Sequence, residues 1–256
     1  MRWQSFALES ISNVSNFMRF GRVENGLRIL TYHTVGGKSF GDKLGLNTVT
    51  PQQFDGHMQT VIDLAEVNLC NDLRPESNNK LSLHITFDDG YLDNLRVAAP
   101  ILARFNIPFT VYVSTGFIGK KGFLNKSDLR ELSEFPGATI GSHGINHKSL
   151  VQICDAELLV EIGDSKKILE DEIGRVVENF SYPYGDANRR VKNFVNNVGY
   201  QTAVCSRFDI NKMSRDKLML NRLVVLSGDS NKTLKQKIIG AWDWYRFRKP
   251  DPLNNA

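Results

Sequence analysis

Leu81, Leu83, Ile85 and Phe87 alternate with Ser82, His84 and Thr86, and the alternation runs into Asp88-Asp89-Gly90. An apolar residue at every second position predicts a strand with one buried face. Adjacent carboxylates on a strand point to opposite faces and repel each other when both are charged. A chain accepts that cost more readily where a cation or a proton transfer uses the charge. The glycine lets the backbone turn sharply and approach a ligand. Asp88 and Asp89 are therefore expected at the carboxyl end of a core strand, where α/β folds place their sites. An ordinary Asp-Asp-Gly turn reads the same in isolation, so the remainder of the chain decides.

That remainder alternates strand and helix patterns. Leu27 to Val35 reads as a strand with His33 near its end, and 36–49 as a glycine-containing loop. Thr50-Pro51 then opens a helix, with threonine at the cap and proline in the first turn. Its buried stripe is expected to be Phe54, Met58, Ile62 and Ala65. Residues 71–80 are polar and turn-like. After the Asp88 strand comes a helix with Leu95, Ala98, Ile101, Leu102 and Phe105 on its apolar face. Further strands are expected at Phe109–Ser114, Ala138–Ser142, Asn179–Tyr182, Gln201–Cys205 and Met219–Leu226. Helices are expected near 127–135, 155–173 and 188–198, and a last one over about 230–247 carries Ile238, Ile239, Trp242 and Tyr245. Alternation of this kind predicts a mainly parallel sheet with helices outside it. About seven strands favour a closed or nearly closed barrel. No internal repeat or linker divides the 256 residues, so one domain spanning 1–256, with its core over about 27–226, is expected.

Composition excludes several functions. A net charge of +4 is mild and dispersed, which gives no nucleic-acid surface. The three cysteines are far apart and form no thiolate metal site. No signal-peptide-like or membrane-spanning run is present, so a cytoplasmic location is the expectation. Residues 3–20 have the apolar spacing of an amphipathic helix, through Trp3, Ala7, Ile11, Val14 and Met18. A helix closing one end of the domain is the preferred reading, and peripheral membrane contact is the alternative. The aromatic, basic stretch Trp242 to Arg248 is likewise read as a packed terminal helix before a sugar- or membrane-binding face.

His143-Gly144-Ile145-Asn146-His147 places two imidazoles four residues apart, and only five histidines occur in the chain. On one helical turn both would point the same way, as two ligands of one metal must. With one carboxylate from Asp88-Asp89 they make a set of two histidines and one aspartate. That set leaves coordination positions open for water and substrate. Zn2+ is the simplest ion for it, and Co2+ or Ni2+ fit the same ligands.

The segments ITFDDGY, SHGINH and FSYPYG, each after a strand and in that order, resemble the motifs of the polysaccharide deacetylases of carbohydrate esterase family 4, the NodB-homology domain. The resemblance covers about residues 27–226 and implies a distorted (β/α)7 TIM-like barrel. By the same resemblance Asp88 is the general base, and Asp89, His143 and His147 are the metal ligands. Tyr182, Pro183 and Tyr184 line the groove, and the Tyr184 N–H holds the oxyanion. Two positions depart from the family pattern. Ser181 stands where an arginine commonly tethers the base, and the usual C-terminal Leu-x-x-His is missing. Leu30-Thr31-Tyr32-His33 supplies that pattern at the start of the chain, as in the circularly permuted branch that includes poly-N-acetylglucosamine deacetylases. His33 then becomes the acid that protonates the leaving amine. Arg222, on the last strand, is a candidate replacement for the missing arginine. His57, on a helix, and His84, in mid-strand, do not suit the acid's role.

The activity so implied is removal of N-acetyl groups from amino sugars, in an oligosaccharide, a polysaccharide or a lipid-linked saccharide precursor. The alternatives are a deformylase or other deacylase of a lipid-linked sugar, and a non-catalytic sugar-binding protein on the same fold.

Overall fold

The strand that leads into Asp88 lies inside the main sheet, and what surrounds it explains its sequence. The computed structural model describes residues 26–68, 81–248 and 251. Its strands are β1 (Leu27–Tyr32), β2 (Thr34–Val35), β3 (Thr48–Val49), β4 (Ala65–Val67), β5 (Leu81–Phe87), β6 (Phe109–Val113), β7 (Ala138–Ser142), β8 (Asn179–Ser181), β9 (Thr202–Val204) and β10 (Leu223–Val224). The main sheet runs β10-β1-β5-β6-β7-β8-β9, with β4 also pairing β5, and every pairing in it is parallel. Its two ends approach each other, because Val204 in β9 bridges Leu220 just before β10. The result is a strongly curled, distorted barrel in which the first strand lies beside the last.

β5 is buried on both faces, not on one. Leu81, Leu83, Ile85 and Phe87 join the large apolar layer that also contains Phe54, Met58, Leu95 and Leu102 of the outer helices. The polar alternates belong to the enclosed face. There Thr31 bonds Thr86 at 3.2 Å, His84 bonds Thr110 at 3.0 Å, and Thr202 donates to Asn179 at 2.6 Å. Parallel strands covered on both sides account for this pattern. Leu27, Ile29, Tyr112, Val204 and Leu220 form a second, separate apolar cluster.

The helix Pro51–Leu64 begins as expected, with a Thr50–Gln53 capping box. Its buried residues are Phe54, His57, Met58 and Val61, whereas Ile62 is 40% exposed and Ala65 already belongs to β4. The expected strand 27–35 breaks at His33, and β2 pairs instead with β3 in the segment read as loop. The strand expected over 219–226 contracts to Leu223–Val224 after a 3-10 turn at Lys217–Met219. The helix expected over about 230–247 runs only from Asn231 to Ile238, and Gly240 at φ +85° turns the chain. Trp242 is buried beyond that turn, and Arg246 pairs with Asp209 at 3.0 Å, so the stretch is largely packed. The helix read at 3–20 and the segment 71–80 lie outside the described residues. Among the described residues no helix is long and apolar enough to cross a membrane.

Candidate active site and metal centre

The carboxyl ends of β1, β5 and β7 and the turn after β8 surround an open cavity of about 680 Å³. Its lining includes His33, Asp88, Asp89, His143, His147 and Tyr184. Asp88 follows β5 directly and its N–H donates to the Tyr32 carbonyl at 3.1 Å, so β1 fixes its height. Asp89 then enters the left-handed region at φ +74°, an unfavourable conformation for an aspartate. That twist brings its carboxylate into the same cavity as Asp88, so the two do not point to opposite faces. Gly90 follows at φ +81°, and a Cβ there would come within 3.1 Å of Val113. The glycine is thus needed both for its backbone angle and for close approach.

Asp88 is gripped by Arg222. Both guanidinium ends donate to its two oxygens at 2.8 Å, and Nη2 also donates to Ser181 Oγ at 2.9 Å. Serine at 181 therefore serves as a contact for the arginine that replaces the one expected at that position. Arg222 further lies 5.6 Å from the centroid of the Tyr112 ring. Burial alone would push the Asp88 carboxyl up, but the charge and hydrogen bonds of Arg222 hold it well below the usual carboxylate range.

Asp89 has a different environment. Its Oδ1 lies 3.7 Å from His143 Nε2 and 3.5 Å from His147 Nε2. These three residues each offer a ligand atom, all within 4.8 Å of one another. The His143 Nδ1–H donates to the Ser181 carbonyl at 2.7 Å, which leaves Nε2 as the lone-pair nitrogen facing the site. Burial pushes His143 down to about 3 and Asp89 up to about 6, and it lowers His147 as well. The imidazoles are thus neutral, as metal ligands must be. Asp89 Oδ1 is buried with no hydrogen-bond partner. A buried, unpartnered carboxylate oxygen between two neutral imidazoles fits a divalent cation, which would offset its desolvation.

The two histidines are not on a helical turn. Residues 143–147 form an irregular loop with Gly144 at φ +75° and His147 at φ +53°, and the rings stand 4.9 Å apart. Every strut of this loop is a hydrogen bond. The Gly144 and Ile145 carbonyls accept from Thr115 and Gly116 at 3.0 and 2.9 Å. The Ile145 and Asn146 N–H groups donate to Glu161 Oε2 at 2.8 and 2.9 Å, and Asn146 Nδ2 donates to Glu161 Oε1 at 2.8 Å. Glu161 is only 2% exposed and lies in a π-helical turn, Val160–Asp164. The sequence reading missed it. The available signal was a carboxylate three residues after Leu158 and four before Ser165, on the helix's buried stripe.

His33 lines the cavity, its Nδ1 is buried without a partner, and its carbonyl accepts from Asn94 Nδ2 at 2.8 Å. His33 falls in the break between β1 and β2. Tyr184 sits at φ +60°, 59% exposed, with its ring 4.5 Å from that of His147. Tyr182 and Pro183, expected in the groove, do not line it. Tyr182 is fully buried, packs on Phe180 and donates to the Leu218 carbonyl at 2.8 Å, because the strand's alternation turns it to the outer apolar layer. His84 and His57 are both buried and hydrogen-bonded away from the cavity.

Comparison with known proteins gives the same picture. The family model for polysaccharide deacetylase matches residues 76–203. YxkH of Bacillus subtilis (strain 168), whose name assigns it provisionally to the polysaccharide deacetylases, is 31% identical over 215 residues, covering 80% of this chain and 73% of that protein. The poly-β-1,6-N-acetyl-D-glucosamine N-deacetylase of Staphylococcus aureus (strain MRSA252) is 32% identical over 122 residues, covering 43% of this chain and 42% of that protein. The solved structure of the deacetylase PplD of Streptococcus pyogenes, in complex with acetate, superposes with a TM-score of 0.71 at 27% identity, over 83% of this chain and 98% of that one. With the paired aspartates, the two histidines and the curled parallel barrel all in place, the chain belongs to the polysaccharide deacetylase family.

Proposed function

We propose that the protein is a metal-dependent N-deacetylase acting on N-acetylglucosamine-type residues of a glycan. One observation carries this reading. Two adjacent carboxylates face one cavity in different settings, Asp88 tied to Arg222 and Asp89 turned toward His143 and His147. Opposed environments for neighbouring titratable groups mark divided roles. A divalent ion held by Asp89, His143 and His147, Zn2+ being the simplest for these donors, would supply Lewis acidity and lower the pKa of water. Asp88, kept ionised by Arg222, takes the proton of the attacking water. The Tyr184 N–H donates to the oxygen on which negative charge develops. His33 gives its proton to the departing amine, which is otherwise a poor leaving group. The products are acetate and a free amino sugar.

The relatives support this choice. The Staphylococcus aureus protein is named for N-deacetylation of poly-β-1,6-N-acetyl-D-glucosamine, and PplD was solved with acetate, the product this reaction releases. A sugar-binding protein without catalysis would have no use for the separated settings of Asp88 and Asp89. The test is acetate release from β-1,6-linked N-acetylglucosamine oligomers by metal-stripped protein, before and after Zn2+ is restored. Release that depends on the added ion is expected. Release that is equal with and without it would refute metal dependence, and none in either case would refute the assigned reaction.

A further inference from the structure

The cavity is lined by more residues than the reaction uses. Besides Asp88 and His33 its lining includes Ser39, Phe40, Asp42, Asn47 and Phe117, none of which has a role in the reaction above. Phe40 is 74% exposed, yet its ring is not isolated. It stands 5.8 Å from Phe117 and 6.4 Å from Phe123. Phe117 and Phe123 are 4.9 Å apart, and Phe123 stacks on Tyr91 at 4.7 Å. Phe40, Tyr91 and Phe117 line the cavity, and the buried Phe123 backs all three.

The loop bearing Phe40 is held in place. The Phe40 N–H donates to Tyr91 Oη at 2.8 Å, and Ser39 Oγ lies 3.2 Å from the same oxygen. The Gly37 N–H donates to Asp93 at 3.0 Å, and Asp42 accepts from Leu44 and Asn47 at 3.2 and 2.6 Å. An exposed aromatic ring on a fastened loop, backed by other rings, is a preorganised apolar surface. The C–H-bearing face of a pyranose ring is the apolar surface of a glycan. It gains from covering such a ring by apolar burial and C–H contacts. Ser39, Asp42 and Asn47 on the same loop offer polar groups for the hydroxyls at the ring's edge.

We propose that Phe40 and Phe117 form a subsite for the sugar residue adjoining the one that loses its acetyl group. This rests on the deacetylase reading. Acetate release is compared for N-acetylglucosamine, which has no adjoining residue, and for its β-1,6-linked pentasaccharide, in wild type, Phe40→Ala and Phe40→Trp, with metal bound. The ratio of kcat/KM for the pentasaccharide to that for the single sugar should fall about five- to thirtyfold in Phe40→Ala. In Phe40→Trp, which keeps an aromatic face, it should hold. An unchanged ratio in Phe40→Ala overturns the subsite, as does an equal fall in Phe40→Trp. Calorimetric titration of the pentasaccharide into Asp88→Asn, alone and combined with Phe40→Ala, reads the subsite without turnover. Weaker binding in the combined variant supports it, and equal binding overturns it even if the assigned reaction is correct. Absence of acetate release from wild type together with weaker binding in the combined variant would refute the reaction and leave the subsite standing.

Discussion

Replacing Arg222 by methionine would leave Asp88 buried without its counter-charge. Both side chains are almost wholly enclosed, with relative exposures of 1% and 6%, and the pair is joined by two hydrogen bonds of 2.8 Å. His143 Nε2, 3.9 Å from Asp88, is held neutral by burial and supplies no counter-charge. Removing one partner of a buried pair costs about 3–5 kcal/mol, because the remaining charge keeps its desolvation penalty. For a chain of this size each kcal/mol moves the melting temperature by about 2–4 °C, so a fall of roughly 6–20 °C is expected. Scanning calorimetry on metal-free protein avoids stabilisation by the bound ion. The control is Arg222→Met combined with Asp88→Asn, which removes the stranded charge and should recover most of the loss. If the double variant is as unstable as the single one, the charge pair is not the cause. Lost packing of the guanidinium against Tyr112 would then explain the fall, and the account of Asp88 would fail.

Two further outcomes concern the histidine loop and the barrel interior. Glu161→Ala should weaken divalent-ion binding about 10- to 100-fold, measured by competition with a chelating dye well below the melting temperature. Glu161→Gln, which can still accept from Ile145 and Asn146, should recover most of it, whereas equal losses in both would point to the charge and not the loop contacts. His84 is held neutral by burial, down to about 4 against an ordinary value near 6.5. Its contribution is present in full above pH 6.5 and is lost as pH falls toward 4, by an amount on the order of 3 kcal/mol. Denaturant titrations of metal-free protein should therefore show stability rising with pH across that window, less steeply in His84→Gln, and an identical slope in that variant would remove His84 as the cause.

The longer strands of the main sheet were legible in the sequence from their apolar pattern, whereas the short β3 and β4 fell in segments read as loop and helix. What that pattern does not encode is whether the polar face meets solvent or the inside of a barrel. Thr86 and His84 therefore read as surface residues, although Thr31 and Thr110 cover them. The candidate ligand set, Asp89, His143 and His147, was legible from the motifs, but its geometry was not. Nothing in the spacing of His143 and His147 distinguishes a helical turn from a loop held by Glu161. Arg222 emerged only because Ser181 left a vacancy in a known pattern. Its contact with Asp88 joins residues 134 apart in sequence, which no local periodicity reports. Tyr182 was misplaced for a simpler reason. A motif names neighbours along the chain, while strand alternation sends alternate neighbours to opposite faces. Phe40 drew no attention because loops carry no period at all.

The central claim is that adjacent aspartates divide the work, Asp89 holding the ion and Asp88 moving the proton. Calorimetric titration of Zn2+ into metal-free wild type, Asp88→Asn and Asp89→Asn, with acetate release measured on the same samples, tests it most directly. One ion per chain should bind to wild type and to Asp88→Asn, binding should be lost or weakened by orders of magnitude in Asp89→Asn, and acetate release should disappear in both variants. Loss of ion binding in Asp88→Asn with its retention in Asp89→Asn would reverse the assignment and contradict the account.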